Sequence, residues 1–519
     1  VLRHLRSSPR WLAWLLLGAG VAGLLLPWLL APIIGDERYH YVAAPTRMDG
    51  SLLNVFMWTI NDIGPRMAHG RIAPVGVFAQ QVGYLLGMQL AFATGIPLAL
   101  AHGIIKAVLL LSIVASFALL LGVVRRRDGE RLDRGLRRRT LLVFTALLVL
   151  GVTATSPVRN GWTAYIVLCI GGVALLLVAG AVSAWALRLS TRTGAPGRLG
   201  TALVLFVLGA TIMLSYEMHW AAVPFAIVLL AFTDTSAWKH RIILIVSISA
   251  GWLTAFVWTR LLLANASGVN YSGTRLDLGS PVLRTATLQV LNAIPGSGVR
   301  NATRTVGEGL PVPAPFQGAG WLWGLLTALG FALLLARPRT RTTEPTAPDR
   351  VTLMVLGAGL IASAGAVALV TSVSAQSHDI VSSFGDTYRG TAWIWACLAG
   401  AGATALVGIT GGRRTTGLVI VAPVALAAIL VGVLVWPTTV SAIQTIRAVD
   451  QYALWETAQA QLVSGASEPM AEARRCELAA QARTWAKGAY FGKFLPFHEE
   501  AFARQWQRPW CPSDVAGTR

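Results

Sequence analysis

Four ionisable residues and two tyrosines occur together in Gly35-Asp36-Glu37-Arg38-Tyr39-His40-Tyr41, directly after the first long apolar run. Asp36 and Glu37 are adjacent carboxylates. In a helix, consecutive side chains point about 100° apart, so only one of them need face a cavity. A carboxylate here can take a proton from a hydroxyl as a general base. It can also hold a divalent cation together with phosphate and water. Arg38 and His40 can neutralise a phosphate group. The plainer reading is an interfacial cap, because charged residues and tyrosines often mark where a span meets water.

A second cluster, Ser215-Tyr216-Glu217-Met218-His219-Trp220, separates two apolar runs with almost no room for a loop. Glu217 and His219 must therefore sit near an interface or inside the bundle, where ionisable groups are expensive unless paired or functional. The alternative is a tight polar turn with snorkelling side chains. Arg71, in Gly70-Arg71, and the stretch Ser374 to Arg389 with His378, Asp379, Asp386 and Tyr388 complete the candidates. Arg389 precedes a span, where its guanidinium can grip phosphate through two parallel hydrogen bonds or simply anchor the helix. Arg159 is a weaker candidate. No P-loop, dinucleotide-binding glycine fingerprint, metalloprotease motif or hydrolase elbow is present. Any donor is thus expected to arrive within the membrane, with no cofactor required by a motif and a divalent cation left open.

The elements that must position these residues are apolar helices. The chain is 519 residues long, 55% hydrophobic and 13% charged, with a mean hydropathy of +0.60; soluble domains carry about 25% charged residues. Runs such as Val108 to Val124 and Val351 to Val373 contain no ionisable residue. Outer-membrane barrels are excluded, because their strands alternate and do not give long unbroken runs. The fold class expected is an all-α polytopic membrane protein. The net charge of +20 does not mark a nucleic-acid binder, since no aromatic-interleaved basic groove accompanies it. Much of it sits in short segments between apolar runs, at Arg125-Arg126-Arg127, Arg137-Arg138-Arg139, Arg337 to Arg341 and Arg413-Arg414. Such segments stay on the cytoplasmic side.

Charge parity then orders the chain. A basic start, Leu2 to Arg10, precedes a retained anchor at about Trp11 to Ile34. Ser51 to Ile63 reads as an amphipathic surface helix, and Pro74 to Leu98 as a shallow or re-entrant outer-face helix broken at Gly95-Ile96-Pro97. Further spans are expected near His102 to Val124, Thr140 to Ala154, Thr163 to Leu187, Gly200 to Tyr216, Ala221 to Phe232, Ile242 to Leu263, Trp321 to Leu335, Val351 to Val373, Thr391 to Ile409 and Leu418 to Trp436. That makes about eleven spans. The basic loops fall inside; the first loop 35–101, the loops 155–162, 264–318 and 374–390, and the tail fall outside. Residues 1–437 form the membrane domain and 438–519 a small extracytoplasmic helical region, in which Cys476 and Cys511 can form a disulfide. Cys169 and Cys397 lie in apolar runs as small buried hydrophobes.

This pattern resembles the integral-membrane GT-C glycosyltransferases: a first span, an acidic pair in the first outer loop, surface helices, many spans and an extracytoplasmic C-terminal region. Gly35-Asp36-Glu37-Arg38-Tyr39 looks like the acidic motif of that superfamily, and Gly70-Arg71 and Tyr216-Glu217 are similar to polar positions in bacterial members related to serotype-modifying glucosyltransferases. The resemblance implies transfer of a sugar from a polyprenyl-phosphate donor to an envelope glycan or glycolipid acceptor, at the outer side of a bacterial cytoplasmic membrane, with inversion. It implies a base from the acidic pair, favouring Asp36 with Glu37 supporting but not fixing which of the two has that role, and Arg38, His40, Arg71, Tyr216, Glu217, His219 and Arg389 as residues around the phosphate and sugar. No oligosaccharyltransferase-type acceptor motif is present. A transporter or flippase for a lipid-linked precursor, an envelope-assembly scaffold, and a polysaccharide polymerase or ligase are the other readings.

Overall fold

A peptide group in hydrocarbon has no water to bond with, so long apolar runs fold into helices that satisfy their own N–H and C=O groups. This chain does so almost throughout. The computed structural model describes residues 10–33, 36–48, 51–68, 70–126, 128–154, 161–163, 165–233, 238–264, 277–279, 281–297, 318–335, 346–383, 386, 389–410, 416–448, 450–484 and 495–512. The first helices are α1 (Arg10–Leu29), α2 (Asp36–Met48), α3 (Leu52–Asn61), α4 (Ile63–Ala68), α5 (Pro74–Thr94), α6 (Leu98–Val123) and α7 (Arg134–Thr153). Then come α8 (Ile166–Arg192), α9 (Ala195–Ser215), a 3₁₀ turn (Glu217–Ala221), α10 (Ala222–Phe232), α11 (Trp238–Ala264), α12 (Pro281–Ala293), α13 (Gly320–Leu335) and α14 (Ala347–Ser372). The last are α15 (Ala375–Ile380), α16 (Thr391–Thr410), α17 (Thr416–Leu430), which passes through a π turn into α18 (Trp436–Ala448), α19 (Asp450–Ser464), α20 (Pro469–Thr484) and α21 (Leu495–Trp506).

Nine stretches among the described residues are long and apolar enough to cross a membrane: those in α1, α5, α6, α8, α9, α11, α14, α16 and Val421–Gln444. The chain is an all-α polytopic membrane protein. Three expected spans are built differently. The segment Thr140 to Ala154 lies in α7, whose first turns carry Arg134, Arg137, Arg138 and Arg139. Ala221 to Phe232 and Trp321 to Leu335 are short apolar helices. The expected break at Gly95 is where α5 stops, with Gly95 in the left-handed region (φ 70°) that a residue without a Cβ adopts freely.

Without a hydrophobic drive between helices in lipid, close packing depends on small residues. α9 and α11 meet at glycines: a Cβ on Gly209 would strike the Ile248 carbonyl, and one on Gly251 the Phe206 carbonyl. α1 and α13 cross the same way, with Gly20 against Thr327 and Gly23 against Trp323.

Two cores result. The larger lies inside the bundle around Phe117, Phe144, Phe225 and Trp393. The smaller joins α2 (Tyr41, Val42), α5 (Tyr84, Leu85, Met88) and the first turn of α6 (Leu98, Ala101) to the C-terminal helices through Trp455, Leu462, Leu478 and Phe502. The Cys476–Cys511 disulfide closes the C-terminal group. α5 is apolar enough to span, yet both its ends lie at one end of the bundle. Gly76 abuts the Ser215 carbonyl at the end of α9, while Ala91 shares the smaller core with the start of α6.

Two substitutions test this packing. Gly251→Leu must push α11 from α9 and is expected to cost about 1–3 kcal/mol or more, read as a lower midpoint of thermal unfolding in detergent. Cys476→Ser should lower the stability of the C-terminal helices by about 2–4 kcal/mol, read by their protection from limited proteolysis; unchanged protection would contradict a structural role for the bond.

Candidate functional site

A cavity of about 470 Å³ opens at the bundle end where α1 finishes and α6 and α8 begin. That size suits one small ligand. Its wall is assembled from six separate stretches: Tyr39 and His40 of α2; Trp58, Asp62, Pro65 and Arg66 around α3 and α4; Arg71, Ala73, Val77 and Gln80 at the start of α5; Tyr165 and Leu168 at the start of α8; Tyr216 after α9; and Arg389 before α16. Three guanidiniums and four aromatic rings therefore face one space.

Each cation is held by a defined neighbour. Arg66 pairs with Asp62 one helical turn earlier. Arg71 Nε donates to Glu217 Oε1 at 2.9 Å, and its guanidinium lies 5.2 Å from the centre of the Tyr216 ring. Arg389 Nη1 donates to the Tyr216 hydroxyl at 2.8 Å, and its guanidinium stacks 4.3 Å over Tyr165. Burial opposes charge on Glu217, but the Arg71 charge, the hydrogen bonds to the carboxylate and the Arg389 charge together outweigh it and hold this carboxyl below its ordinary range. The 3₁₀ turn after α9 thus presents Tyr216 and Glu217 as a bridge between two arginines from distant parts of the chain.

Glu37 occupies a different place. It is fully buried behind the cavity wall. Its Oε1 accepts from the Ile166 N–H at 3.2 Å and from the Tyr84 hydroxyl at 3.3 Å. The donor is the first amide of α8, an otherwise orphaned helix N-terminal group. Tyr165, just before it, has φ 53°, a strained conformation for a residue with a Cβ. That backbone puts the Ile166 amide on Glu37 while the Tyr165 ring lines the cavity.

His102 Nε2 lies 3.8 Å from Glu37 Oε2, and the Tyr41 hydroxyl lies 2.6 Å from His102 Nδ1. Lys106 supplies a positive charge acting on Glu37 and donates to the Trp28 carbonyl at 3.3 Å. Burial pushes the Glu37 carboxyl up to about 7, against the opposing pull of Lys106 and of its hydrogen bonds.

The two candidate clusters therefore come together in part. His40, Arg71, Tyr216 and Arg389 line the cavity, and Glu217 stands behind Arg71. Arg38 is buried and lies outside the wall. His219 is buried too: its ring stacks on Trp393 and its Nε2–H donates to the Leu168 carbonyl at 2.9 Å, which makes it a strut of the 3₁₀ turn. Asp386 closes a loop by accepting from the Ser382 and Ser383 amides, and His378 Nε2–H donates to the Ser372 carbonyl. Asp36 begins α2, with its side chain outside the described residues, as are Arg159 and Tyr388. Among the described residues no three His, Cys, Asp or Glu side chains group to hold a metal ion. No family model, curated protein or solved structure matches this chain.

Sequence reasoning missed Asp62, Arg66, Trp58 and Tyr165. The first two had a signal, an acid and a base four residues apart after an amphipathic helix; Tyr165 had none. Because Glu37 titrates near 4.5 when unfolded and near 7 when folded, the native state holds that proton more tightly between those values. Its contribution to stability therefore falls as pH rises from about 4.5 to about 7. Thermal unfolding across that range should show Glu37→Gln losing this part of the slope relative to wild type; parallel profiles would contradict the burial-driven shift.

Proposed function

We propose that this protein is a membrane glycosyltransferase that moves a sugar from a polyprenyl-phosphate donor to an extracytoplasmic envelope acceptor. The observation that carries the reading is the convergence of Arg66, Arg71 and Arg389 on one cavity that also holds Asp62, His40 and four aromatic rings. Fixed guanidiniums recognise phosphate oxygens through paired hydrogen bonds, and aromatic faces suit the apolar face of a sugar ring. In this reading the arginine-rich loops at the opposite end stay in the cytoplasm. The cavity then opens outside, eleven helical segments cross, and α5 lies along the outer face as a shallow helix.

Asp36 starts the helix that delivers Tyr39 and His40 to the wall, and it serves as general base. It removes the proton from the acceptor hydroxyl as that oxygen forms its bond to the anomeric carbon. The bond from that carbon to the phosphate oxygen breaks, and its electron pair leaves with polyprenyl phosphate. Arg66, Arg71 and Arg389 stabilise the charge that develops on the leaving oxygen. The resemblance to GT-C enzymes supports both the base and an inverting course. Glu37 acts through position: it pins α2 to the start of α8 from behind the cavity.

Purified protein supplied with radiolabelled polyprenyl-phosphate sugars and envelope acceptors tests this directly. Asp36→Asn is expected to lower transfer by about 10²–10⁴-fold, and Arg389→Gln by about 10²–10³-fold. Full activity in Asp36→Asn with loss in Asp62→Asn would move the base to Asp62. Undiminished transfer in both acid variants and in Arg389→Gln would overturn the site.

A further inference from the structure

At the end of the bundle opposite the cavity, arginines converge from three helices and a hairpin. α6 ends at Val123, and Arg125 follows it. At about 1.5 Å per residue, Arg125 lies about 35 Å along the bundle from His102. Arg131 folds back onto Arg125 through an isolated antiparallel bridge. α7 brings Arg137 in its first turns, and α8, packed along α6, brings Arg188 and Arg192 in its last ones. These charges lie near enough to repel. Desolvation, and then Arg188, Arg131, Arg192 and Arg137, pull the Arg125 pKa below its ordinary value.

The nearby carboxylates are engaged elsewhere. Asp128, Glu130 and Asp349 surround Arg126, and Asp133 caps α7 through the Gly135 and Leu136 amides. Among the described residues, no carboxylate forms an ion pair with Arg125, Arg131, Arg137, Arg188 or Arg192. The Arg137 Nε is buried with no hydrogen-bond partner. Five like charges gathered without a direct ion pair cost free energy that a bound anion lowers.

We propose that this cluster is a binding site for the phosphate groups of anionic lipid headgroups. The chemistry recognised is a phosphate-bearing anion, and the surroundings favour lipid as its source. Leu119, Trp185, Leu199 and Leu203, in the same turns of α6, α8 and α9, are exposed apolar side chains that would face acyl chains. Arginines at the rim of such a surface sit at headgroup depth. The site lies far from the cavity and stands whether or not the cavity transfers sugar.

Native mass spectrometry and thermal unfolding of the full chain in detergent provide the test, with phosphatidylglycerol, cardiolipin, phosphatidylcholine and pyrophosphate as separate additions. The anionic lipids are expected to bind and stabilise more than phosphatidylcholine. Arg188→Gln and Arg192→Gln should each weaken them about fivefold, while Arg260→Gln, at the other end of α11, should not. Equal binding of phosphatidylcholine, or unchanged anionic-lipid affinity in the double variant, would overturn the proposal. Pyrophosphate stabilising as strongly as cardiolipin at equal phosphate concentration would overturn the lipid assignment and leave a soluble phosphate ligand. Should the double variant fail to fold, the exposed Arg192 alone gives the same readout.

Discussion

The burial of one carboxylate sets much of the arrangement. Taking a carboxyl group out of water costs several kcal/mol unless neighbours supply its hydrogen bonds and a counter-charge. Glu37 obtains these from α8, α5 and α6 at once: the Ile166 amide, the Tyr84 hydroxyl, and Lys106 with His102 beside it. None of these partners is near it in sequence. Meeting its needs therefore locks the helix after the first span to three other elements. The same contacts orient the strained turn at Tyr165, whose ring forms part of the cavity and supports Arg389.

The cavity depends on that frame from both sides. From within the bundle, His219 stacked on Trp393 fixes the turn that presents Tyr216 and Glu217. Gly172 leaves room for the His219 ring, since a Cβ there would strike it. From outside, the C-terminal helices pack on α2, and Phe497 meets Tyr39 edge-on with ring centres 4.9 Å apart. The C-terminal group is thus a buttress for the cavity wall, and the disulfide that closes it acts on the site at one remove. Charge is balanced only in part, with Asp62 and Glu217 against three arginines, so the wall keeps an excess of positive charge for an anionic group.

The helical, membrane-spanning character was legible because lipid forces long apolar runs into helices whatever their detailed sequence. The glutamines of Pro74 to Leu98 set it apart from the other apolar runs, and the structure gives two of them polar surroundings. Gln80 lines the cavity wall and Gln81 is buried at 3.5 Å from His40, where hydrocarbon would have penalised them. The polar clusters around Asp36 and Tyr216 stood out because charge is rare in this chain. Their division of labour did not. Adjacent residues Arg38, Tyr39 and His40 look alike in composition, yet helix phase turns Arg38 inward and the next two toward the cavity. Buried partners such as Lys106 and His102 were hidden inside an apolar run that reads simply as a span, and Tyr165 joins the site through a backbone twist that no residue type announces.

The central claim is that the three arginines receive the phosphate of a polyprenyl-linked sugar at one end of the bundle. Electron microscopy of the protein with a non-hydrolysable polyprenyl-phosphonate sugar examines this most directly. The account predicts phosphonate density among Arg66, Arg71 and Arg389, with the sugar against Trp58 or Tyr216 and the prenyl chain running down the outside of the helices. Density at mid-depth between the helices, or an empty cavity at saturating ligand, would contradict it.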